Sequence, residues 1–144
     1  MPLRFKIIKR KKWSNKWKSS KDPSKQRKYR FNAPLHIKKN FLHVHLSKEL
    51  RKKYNKRAIT PRKGDKVKIL RGEHKGKVGE IERISIKDVK IYLKNFKMKK
   101  KDGTEIPIPF EPSKLMITEI NTEHKDRFKE LKGSEKNQEE QEKE

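Results

Sequence analysis

The seven residues Arg71-Gly72-Glu73-His74-Lys75-Gly76-Lys77 set three permanent cations and a histidine around two glycines. The chemistry open to such a stretch is anion binding. Glycine takes positive φ without a Cβ penalty, so a turn of this composition makes a compact cationic tip that a phosphate backbone can approach. Gly76, between Lys75 and Lys77, is the position expected to be left-handed or bulged, and Gly79 is expected to let another backbone come close. For Gly72, plain turn chemistry is an equally good account. Structured RNA is read mainly through shape, phosphate and 2′-hydroxyl contacts, which suits a tip of this kind.

Other constellations offer less. His43 and His45 form an H-x-H pair that a strand would place on one face, but Glu49 is the only carboxylate within ten residues and the chain has no cysteine. Too few ligands are present for a metal site, so none is expected. No clustered Ser/His/Asp set or paired carboxylates stand out, so no catalytic group, cofactor or small-molecule substrate is expected. Trp13 and Trp17 are interleaved with lysines. They suit stacking on unpaired bases, a basic amphipathic membrane surface together with Phe5, Ile7 and Ile8, or docking on a protein neighbour. The run KRKK at 9–12 reads as a nuclear import signal or simply as more of an RNA-binding arm.

The elements that must position the tip follow from periodicity. From Gly64 onward the apolar period is two: Val67 and Ile69 face one way, Lys66 and Lys68 the other. Val78, Ile81 and Ile84 break strict alternation, so a bulge or strong bend is expected there. Ser85 to Asp88 is a turn. Val89, Ile91 and Leu93 alternate with Lys90, Tyr92 and Lys94 as a third strand. Residues 94–104 read as a basic loop ending in the turn dipeptide Asp102-Gly103. Pro107 and Pro109 confine Ile106 and Ile108 to an edge strand. Residues 113–120, SKLMITEI, supply a last strand. Five short strands in so few residues suggest a small closed barrel. Residues 61–118, with nearly all of the periodic apolar pattern, are expected to fold alone, although weakly for so small a unit. Upstream, Ser47 is the expected N-cap of a short helix, SKELRKKYN, with Glu49 in its first turn and Leu50 and Tyr54 on one face. Pro34 disfavours helix at Ala33, and residues 31–46 show no clean period. Residues 1–30 are expected to lack fixed structure without a partner.

Charge is distributed unevenly along the 144 residues, whose formal net is +24. Residues 1–63 carry +21, residues 64–118 carry +6, and residues 119–144 carry −3. Only 29% of residues are hydrophobic and 43% are charged, too little apolar surface to order the whole length unaided. A small fold with a basic nucleic-acid-binding arm and an acidic tail fits. No apolar run approaches the roughly 18 residues of a membrane span, and the N-terminus is unlike a secretory signal, so no membrane partner is expected.

Gly64-Asp65, Val67, Ile69, Gly72, Lys75-Gly76, Gly79, Ile81 and Ile84 together resemble a KOW motif, which occurs on SH3-like barrels in ribosomal proteins and transcription elongation factors. The flanks KYRFNAPLHIKK, LSKELRKKYN, Pro61-Arg62-Lys63, DGTEIPI, PSKLMIT and HKDRFKEL extend the resemblance, from about Ser20 to Gly133, to the eukaryotic branch of the large-subunit ribosomal protein L24/L26 family. Both ends depart from that pattern, the first dozen residues by their extra basic charge and the last by their acidity. The resemblance implies a mainly β protein: a basic RNA-binding extension over 1–46, a short helix over 47–56, an SH3-like KOW barrel over 61–120, and a polar C-terminal helix and acidic tail over 121–144. The implied partners are large-subunit ribosomal RNA, contacted near its 5′ region, and neighbouring large-subunit proteins. The implied role is structural, with early assembly and a place near the nascent-chain tunnel exit. The implied location is the cytoplasmic ribosome, with assembly in the nucleus or nucleolus. The RNA-binding residues expected on this basis are Lys25, Arg27, Lys28, Arg30, Asn32, His36, Lys38, Lys39, Arg51, Arg62, Lys63, Arg71, Gly72, His74, Lys75, Gly76, Lys77, Lys97 and Lys99. The alternative is a KOW-containing elongation factor, which usually carries a further αβ domain before the barrel; an RNA-processing enzyme is a third class without visible catalytic groups.

Overall fold

The computed structural model describes residues 12–122 and Arg127. Expectations for residues 1–11, including most of the KRKK run and the Phe5, Ile7 and Ile8 surface, lie outside the described residues, as does the C-terminal tail apart from Arg127, which is helical. Three helices and seven strands make up the described fold: α1 (Pro23–Phe31), α2 (Leu35–Phe41), β1 (Val44–Leu46), α3 (Lys48–Tyr54), β2 (Ala58–Ile59), β3 (Lys66–Ile69), β4 (Val78–Ser85), β5 (Lys90–Lys99), β6 (Glu105–Phe110) and β7 (Leu115–Glu119). A short 3-10 turn, Asn15–Ser19, precedes α1, and another, Pro112–Lys114, leads into β7.

All seven strands join one sheet in the order β2-β1-β7-β3-β4-β5-β6. A closed barrel was expected; the strand pairing instead runs open, with β2 and β6 as its edges. The position of β6 agrees with its two prolines, which lack the N–H that a central strand needs on both sides. The alternation of β3 is as the sequence reads: Val67 and Ile69 are buried and Lys66 and Lys68 exposed. They join Leu42, Val44, Leu46, Ile81, Ile91, Leu93, Phe110, Leu115 and Ile117 in one core.

Three of those core residues come from outside 61–118. Strand β1 runs parallel to β7, pairing His45 with Met116 and Leu46 with Ile117, and antiparallel to β2. Three residues are too short a run for a period to be visible in sequence, and their partner strand lies far along the chain. Segment 61–118 therefore does not hold the whole core.

The expected bulge in β4 is present. Ile81 opposes Leu93 and Arg83 opposes Tyr92, so Glu82 is the extra residue, and both Glu82 and Arg83 face solvent before Ile84 turns back in. A larger irregularity lies in β5, where the register to β6 shifts between Tyr92 and Lys97 and Asn95 has φ 66°. The strand nevertheless continues to Lys99, so the basic loop expected over 94–104 shrinks to a turn at 101–103. Bulges bend a strand and increase its twist, and this one swings Phe96 back over β4.

Helix α3 begins as expected: the Ser47 side chain accepts the N–H of Leu50 at 3.3 Å, and Asn55 ends it in a left-handed conformation, φ 47°. Leu50 packs on the core. Helices α1 and α2 carry no amphipathic stripe that would announce them. Asp22 caps α1 by accepting the Ser24 N–H at 2.9 Å, with Pro23 at its first position. The break between the helices spans Asn32 to Pro34, in keeping with the restriction proline places on the residue before it.

Candidate nucleic-acid interface

The tip between β3 and β4 is closed by its own backbone. Gly76 donates its N–H to the Ile69 carbonyl at 2.8 Å, Ile69 donates to Lys77 at 2.9 Å, and Lys75 donates to Gly72 at 3.0 Å. Gly72 and Gly76 sit at φ 99° and 87°, and a Cβ at either would meet nothing within 4 Å. The space over both glycines is open, as a site for close backbone approach requires. Arg71, Lys75 and Lys77 are exposed there.

His74 is placed differently. Its ring is half-buried, 5.4 Å from Phe96 and 6.3 Å from Phe110, and its Nδ1 is buried without a hydrogen-bond partner among the described residues. Phe96 and Phe110 meet edge to face at 5.6 Å. This aromatic cluster anchors the tip to β5 and β6. Gly79 serves the same packing rather than the approach of a backbone: a Cβ there would lie 2.8 Å from Cε2 of Phe96. The bulge in β5 that delivers Phe96 was not legible in the sequence, so neither was this use of Gly79.

Four acidic side chains on or beside the sheet are paired with lysines. Lys66 pairs with Glu119 at 2.7 Å, Lys94 with Glu80 at 2.7 Å, Lys97 with Glu105 at 3.1 Å, and Glu111 with Lys90 at 3.2 Å and Lys114 at 3.5 Å. The hydrogen bond from Lys90 holds the Glu111 carboxyl below its ordinary pKa, and the bond to Glu119 raises that of Lys66. Glu73 is the only acid within the tip itself, so the positive potential of Arg71, Lys75 and Lys77 is left largely uncompensated. Lys97, expected at the interface, is held by Glu105; Lys99 is exposed near the end of β5.

The remaining expected residues fall mostly on the helices. Lys25, Arg27, Lys28, Arg30, Asn32, His36 and Lys39 are exposed. Within this group Lys28 lies over the Trp17 ring at 5.2 Å and Arg30 over Phe41 at 5.9 Å. The Asn32 amide donates to the Lys12 carbonyl, and Lys38 donates to the Lys87 carbonyl. Trp13 stacks on Tyr29 at 5.5 Å and donates its indole N–H to the Tyr29 carbonyl at 3.0 Å. Gln26 donates to the carbonyls of Trp17, Lys18 and Ser20. Both tryptophans are thus engaged with α1 of their own chain, an arrangement absent from the three readings of the sequence. Arg51 is half-buried, with Nε donating to the Leu46 carbonyl at 2.9 Å, which gives it a structural contact. Lys63 is exposed and Arg62 half-buried.

Helices and tip are therefore two basic regions at opposite ends of β4. The tip precedes Val78, while Lys87 follows Ser85 in the turn that meets α2. Eight strand residues lie between them, roughly 25 Å measured along the strand. His43 is exposed and precedes β1, His45 lies within it, and no group of three or more metal-ligating side chains comes together among the described residues.

One functional-looking pair escaped the sequence reading altogether. Asp65, adjoining Gly64 at the start of the motif, is fully buried, and so is Arg127. Arg127 donates from Nη1 to Oδ1 at 2.8 Å and from Nη2 to Oδ2 at 2.7 Å. The backbone N–H groups of Asn121 and Arg62 complete the carboxylate shell at 2.9 and 2.8 Å. This bidentate clamp ties the approach to β3, the end of β7 and the C-terminal segment together at the root of the tip hairpin. An acidic residue beside a glycine, just ahead of a strand in so basic a chain, was the available signal.

The fold and its exposed charge define a class: a small basic β-sheet domain with a helical basic extension. The family of ribosomal proteins known as L26 in eukaryotes and L24 in archaea matches residues 20–134, and the chain belongs to it. Similar proteins include the large ribosomal subunit protein uL24 of Methanospirillum hungatei, 47% identical over 114 residues, covering 79% of this chain and 95% of that one. The uL24 proteins of Methanocorpusculum labreanum and Methanothrix thermoacetophila are each 46% identical, over 104 and 110 residues, covering 72% and 76% of this chain and 86% and 95% of theirs. These three relatives are archaeal, and the matching family spans the eukaryotic and archaeal proteins alike. The family is a structural class of ribosomal proteins.

Proposed function

We propose that this chain is a structural constituent of the large ribosomal subunit that binds and stabilises large-subunit ribosomal RNA through the β3–β4 tip and the basic helices, with neighbouring large-subunit proteins as further partners. Its sheet is read as an SH3-like KOW fold whose strand pairing stays open at β2 and β6, a reading supported by the glycine-turned β3–β4 hairpin and by the bulges that bend β4 and β5. It takes part in subunit assembly and sits near the nascent-chain tunnel exit; in a host with a nucleus, assembly begins in the nucleolus. The observation that carries the proposal is the exposed tip, where Arg71, Lys75 and Lys77 surround an open, left-handed Gly76. Two basic regions at the ends of β4 would let one small domain bridge separate RNA segments.

The test is sedimentation of tagged protein combined with RNA binding at graded salt. Co-sedimentation with large subunits and polysomes is expected. Affinity for a large-subunit RNA fragment is expected to fall about a thousandfold or more between 50 and 200 mM salt, the release expected for about six to ten phosphates. Lys75→Ala and Lys77→Ala should each lower the salt slope by up to about one while leaving the fold intact. A nearly flat salt dependence, or absence from the subunit fraction, overturns the proposal.

A further inference from the structure

A groove lies between the N-terminal helices and the far end of the β4–β5 hairpin. Its walls are Arg27, Lys28, Arg30, Phe31, Lys38 and Phe41 on one side and Lys87 to Lys90 with Glu111 to Ser113 on the other. Phe31, the last residue of α1, is 81% exposed, the most of any large hydrophobic side chain among the described residues. Its neighbours Tyr29 and Phe41 are by contrast engaged edge to face with each other at 5.9 Å. A single exposed hydrophobic side chain is ordinary on a monomer surface; what singles out Phe31 is the rim of the groove it lines. That rim is cationic. Arg27 and Lys87 have no acidic partner among the described residues, Asp88 is held by the Ser85 hydroxyl at 2.7 Å, and Glu111 is neutralised by Lys90 and Lys114.

We propose that this groove is a stacking site for an unpaired RNA base, with Phe31 as the platform and Arg27 and Lys87 on the phosphates flanking it. This rests on the RNA-binding reading above and adds a distinct mode to it. The tip offers charge and backbone alone and suits a duplex, whereas the groove combines an aromatic face with cations, the pairing that single-stranded segments use. A protein segment is the competing occupant. An acidic one would suit the cations equally, but a predominantly apolar one would leave Arg27 and Lys87 desolvated and unpaired.

The experiment compares the full chain with Phe31→Ala, Phe31→Tyr and Arg27→Ala on a protein-free large-subunit RNA fragment, across the same salt series. Phe31→Ala is expected to weaken binding roughly five- to a hundredfold without changing the salt slope, because stacking releases no counterions. Phe31→Tyr should bind as the parent does, and Arg27→Ala should lower the slope by up to about one. Because Phe31 is exposed, none of these should shift the melting temperature. If the parent binds with a steep salt slope and Phe31→Ala is indistinguishable from it, the groove inference fails and the RNA-binding reading stands. If Phe31→Ala binds RNA normally but incorporates poorly into subunits, a protein neighbour occupies the groove and the inference is overturned. If no variant and no parent binds RNA, the underlying reading itself fails.

Discussion

Replacing Arg127 by methionine keeps most of the side-chain volume and removes the charge from the clamp on Asp65. Asp65 is left fully buried with the Arg62 and Asn121 N–H groups as its remaining donors, after losing two charge-assisted hydrogen bonds of 2.7 and 2.8 Å. Breaking one side of a buried ion pair costs about 3–5 kcal/mol, because the survivor stays buried without compensation. The two remaining backbone donors place this case at the lower end, about 3 kcal/mol. A fold of this size, between the small and mid-sized classes, melts about 4 °C lower per kcal/mol, so Tm is expected to fall by about 12 °C. Unfolding followed by circular dichroism measures it, in 50 and in 500 mM salt. The loss should be nearly equal in both, since a pair excluded from water is poorly screened. Asp65→Ala is expected to cost at least as much, and the double variant less than the sum of the two, by about 2 kcal/mol or more, because no buried charge is then stranded. A Tm drop under about 4 °C for Arg127→Met, or strict additivity, would refute the clamp.

Gly79→Ala should destabilise the protein by about 1–3 kcal/mol, as overpacking does, because its methyl group would sit 2.8 Å from the Phe96 ring; pairing it with Phe96→Leu should restore part of the loss, and a neutral Gly79→Ala in urea titration would contradict the packing role. A fragment of residues 61–120 lacks Leu42, Val44 and Leu46, all essentially fully buried; at about 1.5–3 kcal/mol each this approaches the whole stability of a small domain, so the fragment should give undispersed amide NMR signals, while one spanning 42–132 should fold. Gly76→Val forces a β-branched residue to φ 87°, which costs about 1–3 kcal/mol and should also weaken RNA binding; retention of both Tm and affinity would make the tip a mere turn. Glu111 has its folded pKa held below the ordinary 4.5 by Lys90, so its contribution is present above that value and lost as pH falls through the folded pKa. The acid limb of stability should therefore flatten slightly in Glu111→Gln, and because the pair is exposed the effect is small; an unchanged acid limb would count against the pair.

The parts of this protein legible in its sequence are those decided by neighbouring residues. Positive φ at Gly72 and Gly76 follows from the absence of a Cβ, the exposure of Lys66 and Lys68 against Val67 and Ile69 from the period of a strand, the Ser47 cap from one hydroxyl three residues from its donor, and the edge position of β6 from two missing N–H groups. What only the tertiary structure decided are the contacts closed over long loops. Arg127 reaches Asp65 across 62 positions, β1 finds β7 across 71, from His45 to Met116, and the bulge in β5 brings Phe96 over Gly79 and His74. No local propensity encodes such pairings. Each is chosen because the folded chain has one place where a buried carboxylate can be satisfied, a three-residue strand can complete its ladder, and a ring can fill the space that a missing side chain leaves open.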